Sequence, residues 1–252
     1  MTYCLAMRLE DGLVFLSDTR TNAGLDNVST YRKLHVFRPA PDRLFVLQSA
    51  GNLGTTQQVL DQVGIDLATA GDHESLATVD HLFQAALYLG GLSQRTAERH
   101  RSGLAAAGAD GTASFILGGQ IGDDPPDILL VFPEGNYIRA SDDRPFLQIG
   151  ESKYGKFLLD VAVRVHADLS TGLKIGLGSM ISTARANLSV GPPYDAAVYH
   201  PGRFLVDEYR FEADSPIFMQ LHEIWERHIL GTVADLPDIS LPDLRAADRS
   251  TS

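Results

Sequence analysis

The sequence predicts an α+β protein in which two stacked β-sheets carry helices on both outer faces. Short apolar segments with a period of two occur in groups, and pairs of segments with helical spacing separate these groups. The order along the chain is strands, two helices, strands, two helices, strands and a final helix. Groups of strands that alternate with pairs of antiparallel helices favour stacked sheets over βαβ crossovers.

The first segment of the chain predicts a β-hairpin. Residues 3–9 alternate only loosely, Asp11-Gly12 is a strong hairpin turn signal, and residues 13–16 continue as a buried strand that ends in Ser17-Asp18. Residues 21–30 are rich in Thr, Asn, Gly, Asp and Ser, and we expect them to form a loop.

A second pair of predicted strands follows this loop. Residues 31–38 return to extended structure with Tyr31, Lys33 and His35 on one face, because side chains alternate along a strand. We expect Pro39 and Pro41 to end this strand. Residues 44–47 form another buried strand, which runs through Ser49-Ala50-Gly51-Asn52 into a helix that begins near Leu53.

The rest of the chain supplies four more helices and the remaining strands. Asp72 is a candidate cap for a second helix, and residues 101–112 are a Gly/Ala-rich connection. The later helices are expected over residues 154–165, 173–188 and 215–230. The later strands are expected over residues 114–117, 128–132, 137–140, 146–149, 196–199 and 204–211.

The domain organisation follows from the absence of an internal linker or repeat. We expect one domain over residues 1–230. Residues 231–252, which include Pro237 and Pro242, are expected to be an appendage that serves as a subunit contact.

Composition and charge exclude several classes of partner. The net charge is −11, from 32 acidic and 21 basic residues, and no Lys/Arg cluster interrupts the acidic excess. We therefore expect no nucleic-acid partner and no membrane partner. Arg8, Glu10 and Asp11 fall where a secretory signal would need apolar residues, and Cys4 is the single cysteine, so a reducing, cytoplasmic location is expected. Cys4 itself is expected to lie in the core.

Thr2 is the candidate nucleophile. Initiator methionine is readily removed before a small residue, and its removal would leave Thr2 with a free α-amine beside its own hydroxyl. An α-amine titrates near about 7.7 to 8.0, whereas a lysine would need its pKa lowered by roughly 2 to 3 units to act as a base at neutral pH. The terminal amine is therefore the expected base.

Asp18, Lys33 and Gly51 are expected to assist Thr2. A charged Lys33 beside the hydroxyl would favour the alkoxide and keep the neighbouring amine neutral by like-charge repulsion, and Asp18 would hold Lys33 charged and oriented. Gly51 lies where a strand turns into a helix, so its backbone N–H could stabilise a developing oxyanion.

The combined pattern resembles a known family. Thr2, the segment 17–24, the segment 29–33 and the segment 49–51 resemble those of proteasome β-type peptidases of the amino-terminal-nucleophile (Ntn) hydrolase class. Within that class the chain is most similar to the bacterial Anbu, or ancestral β-subunit, family, which begins at Thr after Met without a propeptide. Residues 187–193 form a further Anbu-like segment.

The resemblance implies a fold, an activity and roles for individual residues. The fold would be a four-layer αββα sandwich, and the activity threonine-type cleavage of peptide bonds without a metal or other cofactor. Thr2 would be the nucleophile, with Asp18 and Lys33 as charge partners and Gly51 as oxyanion donor. Arg20 and Asn22 would line the site, with Asn22 contacting the substrate backbone. The subunits would form a ring-like or spiral homo-oligomer.

Two segments depart from the β-subunit pattern. Gly-Ser-Gly after the middle strands is replaced by Gly150-Glu151-Ser152, so a supporting serine is either Ser152, shifted by one place, or absent. Asp-x-x-Ser-Gly after the fourth helix is replaced by residues 187–191, in which Asn187 and Ser189 are the polar members. These replacements alter the polar groups that would surround the terminal amine.

Two alternative functions follow from these departures and from the chemistry of the class. One is a proteasome-like scaffold subunit with weak or no activity, and the other is an Ntn amidase that acts on small acyl-amides. A metal site is not expected, because the eight histidines form no ligand spacing on a helix.

Overall fold

A computed structural model of the chain describes residues 2–22 and 28–237. The chain divides into two compact units, Met1–Ala213 and Asp214–Ser252. The described residues form a mixed α/β protein with five helices and three antiparallel sheets. The strands are β1 Tyr3–Leu9, β2 Gly12–Asp18, β3 Arg20–Asn22, β4 Val28–Thr30, β5 Leu34–Ala40, β6 Arg43–Gly51, β7 Ala113–Ile121, β8 Asp127–Val131, β9 Tyr137–Arg139, β10 Phe146–Gly150, β11 Tyr194–Tyr199 and β12 Val206–Phe211. The helices are α1 Leu53–Ala68, α2 Leu82–Ala106, α3 Lys153–Ala162, α4 Leu169–Ala186 and α5 Pro216–Ala234.

Two five-stranded sheets carry most of the strands. The first sheet has the order β10-β1-β2-β11-β12, and the second has the order β5-β6-β7-β8-β9. The β1–β2 hairpin turns at Asp11-Gly12, as the sequence predicts, and its register places Cys4 opposite Ser17. β3 and β4 form a separate two-stranded ribbon.

The two sheets bury an apolar core between them. Cys4 and Phe15 from the first sheet join Val46 and Ile116 from the second in one cluster of buried side chains. A second cluster fills the space between the other face of the second sheet and helices α1 and α2. Cys4 is fully buried, as expected, and burial raises the pKa of its thiol far above the usual value.

Helix α4 packs closely against β1 and β2. A side chain at Gly176 would place its Cβ 2.4 Å from Cδ1 of Leu16, so only glycine allows this approach. Every residue of β2 is buried, because Leu13 and Phe15 point into the core between the sheets while Val14 and Leu16 lie toward α4. This explains the unbroken apolar run at 13–16.

The predicted loop over residues 21–30 is wrong at both of its ends. β3 and β4 pair there, with Thr21 opposite Ser29, and the Tyr31 N–H donates to the Thr19 carbonyl at 2.8 Å. Polar composition suggested a loop, but the cross-strand partners of this short ribbon decide its structure. Residues 23–27 lie outside the described residues.

The predicted strand over residues 31–38 is displaced. β5 begins at Leu34, so Lys33 precedes the strand, and β5 runs through Pro39 to Ala40. Pro39 does not end the strand because β5 is the edge of its sheet, where a missing N–H leaves no ladder bond unmade.

The predicted start of the second helix at Asp72 is also wrong. Residues 75–78 form a hydrogen-bonded turn, in which the Val79 N–H donates to the Ser75 carbonyl at 3.2 Å, and α2 begins only at Leu82. The Gln84 side chain accepts from the N–H groups of Asp80 and His81 and so caps the helix start. α2 then continues to Ala106, through residues that the sequence assigned to a connection.

The second unit contains α5, whose start fits the sequence prediction. Ser215 is its N-cap and Pro216 its first residue, a position where proline has no N–H to lose. The predicted boundary at residue 230 and the role of residues 231–252 remain predictions; residues 238–252, with Pro242, lie outside the described residues. No described helix combines the length and hydropathy needed to cross a bilayer.

Candidate active site

The β1–β2 hairpin places Thr2 next to Asp18. Thr2 immediately precedes β1, and Asp18 is the last residue of β2, so the two lie at the same end of the antiparallel pair. The Tyr3 N–H donates to Oδ1 of Asp18 at 2.9 Å. The turn at Asp11-Gly12 therefore fixes the position of the carboxylate relative to the start of the chain.

Lys33 reaches the same point from the second sheet. Its Nζ lies 2.7 Å from Oδ1 of Asp18 and donates to the Arg20 carbonyl at 2.6 Å. Lys33 is only 5% exposed and Asp18 is fully buried. The Lys33 carbonyl in turn accepts from the Ser49 N–H at 3.1 Å, which ties the segment ahead of β5 to β6.

Opposing effects act on the Asp18 carboxyl. Burial raises its pKa above the ordinary value, while the Lys33 ammonium and the Tyr3 N–H lower it. The 2.7 Å contact favours an ionised Asp18 beside a charged Lys33, because a buried carboxylate is tolerated where a cation and N–H donors compensate it.

Thr2, Lys33 and Gly51 line one cavity of about 660 Å³. Its walls come from the segment 31–37, from the end of β6 and from α1. Phe37 and Leu60 supply apolar surface, and burial lowers the pKa of His35 on the same wall. Arg32 also lines the cavity and forms an ion pair with Glu208. The sequence reasoning identified neither Phe37 nor Leu60, whose apolar character gives no signal beyond burial.

Gly51 lies at the sharp turn between β6 and α1. Its φ of +115° is in the region that favours glycine, and a Cβ there would lie 2.4 Å from the Thr112 carbonyl oxygen. Asn52 caps α1 by accepting from the Thr55 N–H at 3.1 Å. The amino end of α1 therefore opens at the cavity, where its dipole favours negative charge.

Arg20 contacts the site through its backbone, whereas the structure describes only the backbone of Asn22. The Arg20 carbonyl accepts from Lys33, but its guanidinium donates to the Leu188 carbonyl at 2.9 Å and packs against Gly191. Arg20 thus contributes its backbone to the site, and its side chain joins β3 to the segment after α4. Asn22 belongs to β3, and its side chain lies outside the described part of the chain.

Asn187 and Ser189, two of the predicted supporting residues, form a network centred on Glu151, which was not among the predicted site residues. The Glu151 N–H donates to the Thr2 carbonyl at 2.7 Å, and its carboxylate accepts from Nδ2 of Asn187 at 2.9 Å. Oδ1 of Asn187 accepts from the Ser189 N–H at 3.0 Å. Ser152 begins α3 as its N-cap without a side-chain capping bond. The position in contact with Thr2 is therefore Glu151.

Tyr3 anchors the start of β1. Its hydroxyl lies 2.7 Å from Oγ of Ser179 on α4 and accepts from Nε2 of Gln148 at 2.5 Å. Tyr3 is fully buried, and burial raises the pKa of its hydroxyl to about 12. The residue after Thr2 is thus held on both sides, which limits the movement of Thr2.

Gly150 controls the position of Thr2, and we expect Gly150→Ala to displace it. Gly150 has a φ of +82°, and a Cβ there would lie 1.9 Å from the Thr2 carbonyl oxygen. Alanine must adopt a left-handed conformation, at about 1 to 2 kcal/mol, and must also push Thr2 away. We expect the variant to lose more unfolding free energy than the left-handed backbone conformation alone would cost, as measured by urea unfolding. We also expect Thr2 to react less with a chemical label.

Gly202→Ala is the matched control for this variant. Gly202 has a similar φ of +74°, and no atom lies within 4 Å of a Cβ built there. This variant should lose only the free energy that the left-handed backbone conformation costs. The reactivity of Thr2 should be unchanged. Equal effects of the two substitutions would show that Gly150 does not control Thr2.

The described residues contain no cluster of three or more His, Cys, Asp or Glu side chains arranged to hold a metal ion. That the site works without a cofactor remains a prediction, which rests on the family resemblance. The groups that converge are a hydroxyl, a buried ammonium–carboxylate pair and a helix amino end. These groups can activate an oxygen nucleophile and stabilise a negative charge that develops beside it.

Comparison with known proteins identifies the family. No family model matches the chain, and no curated protein matches it. Many solved structures are similar to it, and three of them match over nearly their full lengths as follows. An Anbu (Gly-1) mutant from Hyphomicrobium sp. strain MC1 is 39% identical, with 96% of this chain and 100% of that chain covered and a TM-score of 0.87. Anbu (ancestral beta-subunit) from Yersinia bercovieri is 39% identical, with 95% and 99% covered and a TM-score of 0.88.

The third structure is the helical assembly of the Anbu complex from Pseudomonas aeruginosa. It is 40% identical, with 96% of this chain and 99% of that chain covered and a TM-score of 0.89. Identity at this level over almost the whole chain goes well beyond a shared fold. The chain therefore belongs to the Anbu family of ancestral proteasome β-subunits.

Proposed function

We propose that this protein is a threonine-type peptidase whose nucleophile is Thr2 and whose base is the α-amine of Thr2 after removal of Met1. The observation that carries the proposal is the convergence of Thr2, Lys33 and Gly51 on one cavity, with Lys33 bound to Asp18 at 2.7 Å. The cavity beside Thr2 has the size and the mixed apolar and polar lining that suit a substrate side chain.

The reaction proceeds in two steps. Oγ of Thr2 attacks the carbonyl carbon of the scissile bond while the α-amine takes the hydroxyl proton and passes it to the leaving amine. The C–N bond breaks, and an ester joins the acyl group to Thr2. A water molecule activated by the same amine then hydrolyses the ester. Lys33 stabilises negative charge at Oγ, Asp18 holds Lys33, and the Gly51 N–H stabilises the oxyanion.

The proposed architecture is a four-layer αββα sandwich. Three contacts support this architecture. Helices α1 and α2 pack on one sheet, α4 packs on the other, and the two sheets share an apolar core. Arg20 and Asn22 belong to the proposed site wall, with Asn22 contacting the substrate backbone. Asn187 and Ser189 belong to the group that supports Thr2, whereas Ser152 has no contact that favours such a role.

We also propose that the chain forms a spiral homo-oligomer. The helical assembly of the P. aeruginosa relative supports this, and so does an apolar stripe on α3. Tyr154, Phe157 and Val161 lie on one face of α3 and are 48%, 77% and 56% exposed. The helical spacing that predicted a buried stripe therefore marks a face that a second subunit would cover.

We expect Phe157→Asp to dissociate the oligomer. A charge in the middle of the stripe would have to lose its hydration at the contact between subunits, which is strongly unfavourable. Analytical ultracentrifugation at a fixed protein concentration should show a shift from large species toward single subunits.

Ile138→Asp is the matched control, because Ile138 is 46% exposed on the short strand β9. It introduces the same charge at an exposed apolar position away from α3 and should leave the sedimentation profile unchanged. If Phe157→Asp sediments like the unsubstituted protein, α3 is not part of the contact.

A substrate panel with Thr2→Ala as the blank tests the proposed activity. Peptide substrates should be cleaved and small acyl-amides should not, whereas the opposite preference would favour the small-molecule amidase. The intact mass of the purified protein tests the scaffold alternative, because retention of Met1 would leave Thr2 without a free amine. Correctly processed protein that cleaves neither class would favour a scaffold subunit.

A further inference from the structure

Glu151 lies directly opposite Thr2 across the β1–β10 pair. Tyr3 is opposite Gly150 in the register of this pair, so Thr2 and Glu151 continue it by one position. The Glu151 N–H donates to the Thr2 carbonyl at 2.7 Å, which is one of the two bonds that opposed residues exchange in an antiparallel ladder.

The same register makes Glu151 the residue directly across from the terminal amine of processed Thr2. In an extended chain the N–H and C=O of one residue point to the same side, toward the same neighbouring strand. Since the Thr2 carbonyl accepts from the Glu151 N–H, we expect the Thr2 nitrogen to lie on the same side. Tyr3 faces the other way, and its N–H accordingly binds Asp18.

The Glu151 carboxylate is buried without a cationic partner in the described part of the chain. Glu151 is 8% exposed, and its carboxylate is contacted by the Asn187 side-chain amide at 2.9 Å and the Lys153 backbone N–H at 3.4 Å. Both are neutral donors. A buried carboxylate is stabilised most effectively by a cation, and removal of Met1 creates one, the α-ammonium of Thr2, on the adjacent residue.

We infer that the Glu151 carboxylate is the ion-pair partner of the Thr2 α-ammonium and that it positions the proposed base of the reaction. The inference rests on the proposed function, because it assigns a partner to the same terminal amine. Asn187 fixes the carboxylate by a hydrogen bond, and the Ser189 N–H fixes Asn187 in turn. Glu151 is thus a positioning residue that occupies the place where the sequence resemblance led us to expect serine.

Lys33 and Asp18 form a charged pair beside Thr2, and their effects on the amine oppose one another. The charged and titratable side chains on the neighbouring elements include Asp18, Arg20, Lys33, Lys153, Arg185, Tyr194 and Asp195. Asp195 is paired with Arg210. Lys33 and Asp18 are in contact at 2.7 Å, so the repulsion that Lys33 exerts on the amine is offset. Arg20 is bound to the Leu188 carbonyl, and Lys153 is an exposed residue. Glu151 is the acidic residue bonded directly to Thr2, so we take its charge to set the sign of the electrostatic effect on the amine.

The consequence is a more basic terminal amine than an isolated one. An opposite charge within about 4 to 6 Å shifts a pKa by about 1 to 3 units toward the charged form. The Thr2 amine should therefore titrate above the ordinary range of about 7.7 to 8.0. A neutral amine, and with it hydrolysis, would be favoured under alkaline conditions.

The test measures the pKa of the Thr2 amine directly. Full-length processed protein is acylated with trace acetic anhydride across a pH series, and mass spectrometry of the amino-terminal peptide reports the extent of labelling. The unsubstituted protein should give a pKa above about 8, and Glu151→Gln should lower it by about one unit or more. Glu151→Asp, which keeps the charge, should retain most of the elevation.

Glu134→Gln is the control for a change of net charge, because Glu134 is an exposed residue in the turn between β8 and β9. It should leave the amine pKa unchanged. An ordinary or lowered pKa in the unsubstituted protein would overturn the inference even if Glu151→Gln fails to fold, and so would an unshifted pKa in folded Glu151→Gln. Retention of Met1 in the intact mass would overturn the proposed function together with this inference. An amine pKa that responds to Glu151 in a protein without turnover would overturn only the proposed activity.

Discussion

Thr2→Ala should abolish hydrolysis of every substrate that the unsubstituted protein cleaves, with kcat/KM reduced by about 10⁴-fold or more. The substitution removes the only atom that can form the proposed ester and leaves the α-amine in place. Thr2 is half-buried at the cavity and precedes the anchored Tyr3, so losing its hydroxyl should change the fold little. Steady-state kinetics on purified protein would measure the effect.

Thr2→Ser provides the control for this loss. Serine keeps the hydroxyl and remains small enough for removal of Met1, so turnover should persist at a measurable level. Thermal unfolding of both variants should match that of the unsubstituted protein. If Thr2→Ala retains the original kcat/KM, the nucleophile lies elsewhere.

Lys33→Met should cause the largest loss of stability among single substitutions at the site, about 3 to 5 kcal/mol in the free energy of unfolding. It removes the cation 2.7 Å from Asp18, which is fully buried, and leaves that carboxylate with N–H donors alone. Turnover should also be lost, because the charge that favours the alkoxide is gone. Urea unfolding at neutral pH measures the change in stability.

The double variant Asp18→Asn with Lys33→Met separates charge from shape. The asparagine keeps an acceptor for the Tyr3 N–H and removes the uncompensated charge, so most of the lost stability should return while activity stays absent. If the double variant is as unstable as Lys33→Met, the loss comes from packing and not from a buried charge.

The stability deficit of Lys33→Met should depend on pH with a definite sign. Burial raises the pKa of Asp18, so the unfolded chain ionises this carboxyl at lower pH than the folded chain. Below the ordinary value of about 3.9 both states bind the proton, and the deficit is smallest. It grows as pH rises from about 3.9 toward the raised folded value, because the unfolded chain releases this proton there while the folded variant keeps it, and it is complete above the folded value.

Most of what could be predicted about the site came from local patterns in the sequence. The Asp11-Gly12 turn fixes the register that brings Asp18 beside Tyr3. The pattern also placed Lys33 near the start of a strand, although β5 begins at Leu34, three residues later than the predicted start at residue 31. The glycine at 51 was recognisable because a strand gave way to a helix there. The roles of these residues in catalysis remain predictions.

Features that depend on contacts between distant segments could not be predicted in the same way. Glu151 contacts Thr2 only because β10 pairs with β1 and because Gly150 adopts a positive φ. The one sign of this contact in the sequence was that a glycine and an acidic residue directly follow a predicted strand. Asp72 failed as a helix cap because the turn at residues 75–78 satisfied the backbone locally, while Leu76 and Val79 reached the core without a helix.

Covalent labelling with a peptide epoxyketone, read by mass spectrometry, tests the central claim most directly. The reagent requires a hydroxyl and a free amine on the same residue, and in this chain only a processed Thr2 would offer both. We predict a single adduct on the peptide that begins at Thr2, and none on Thr2→Ala. Processed protein that stays unlabelled, or carries its label on another residue, would contradict the account.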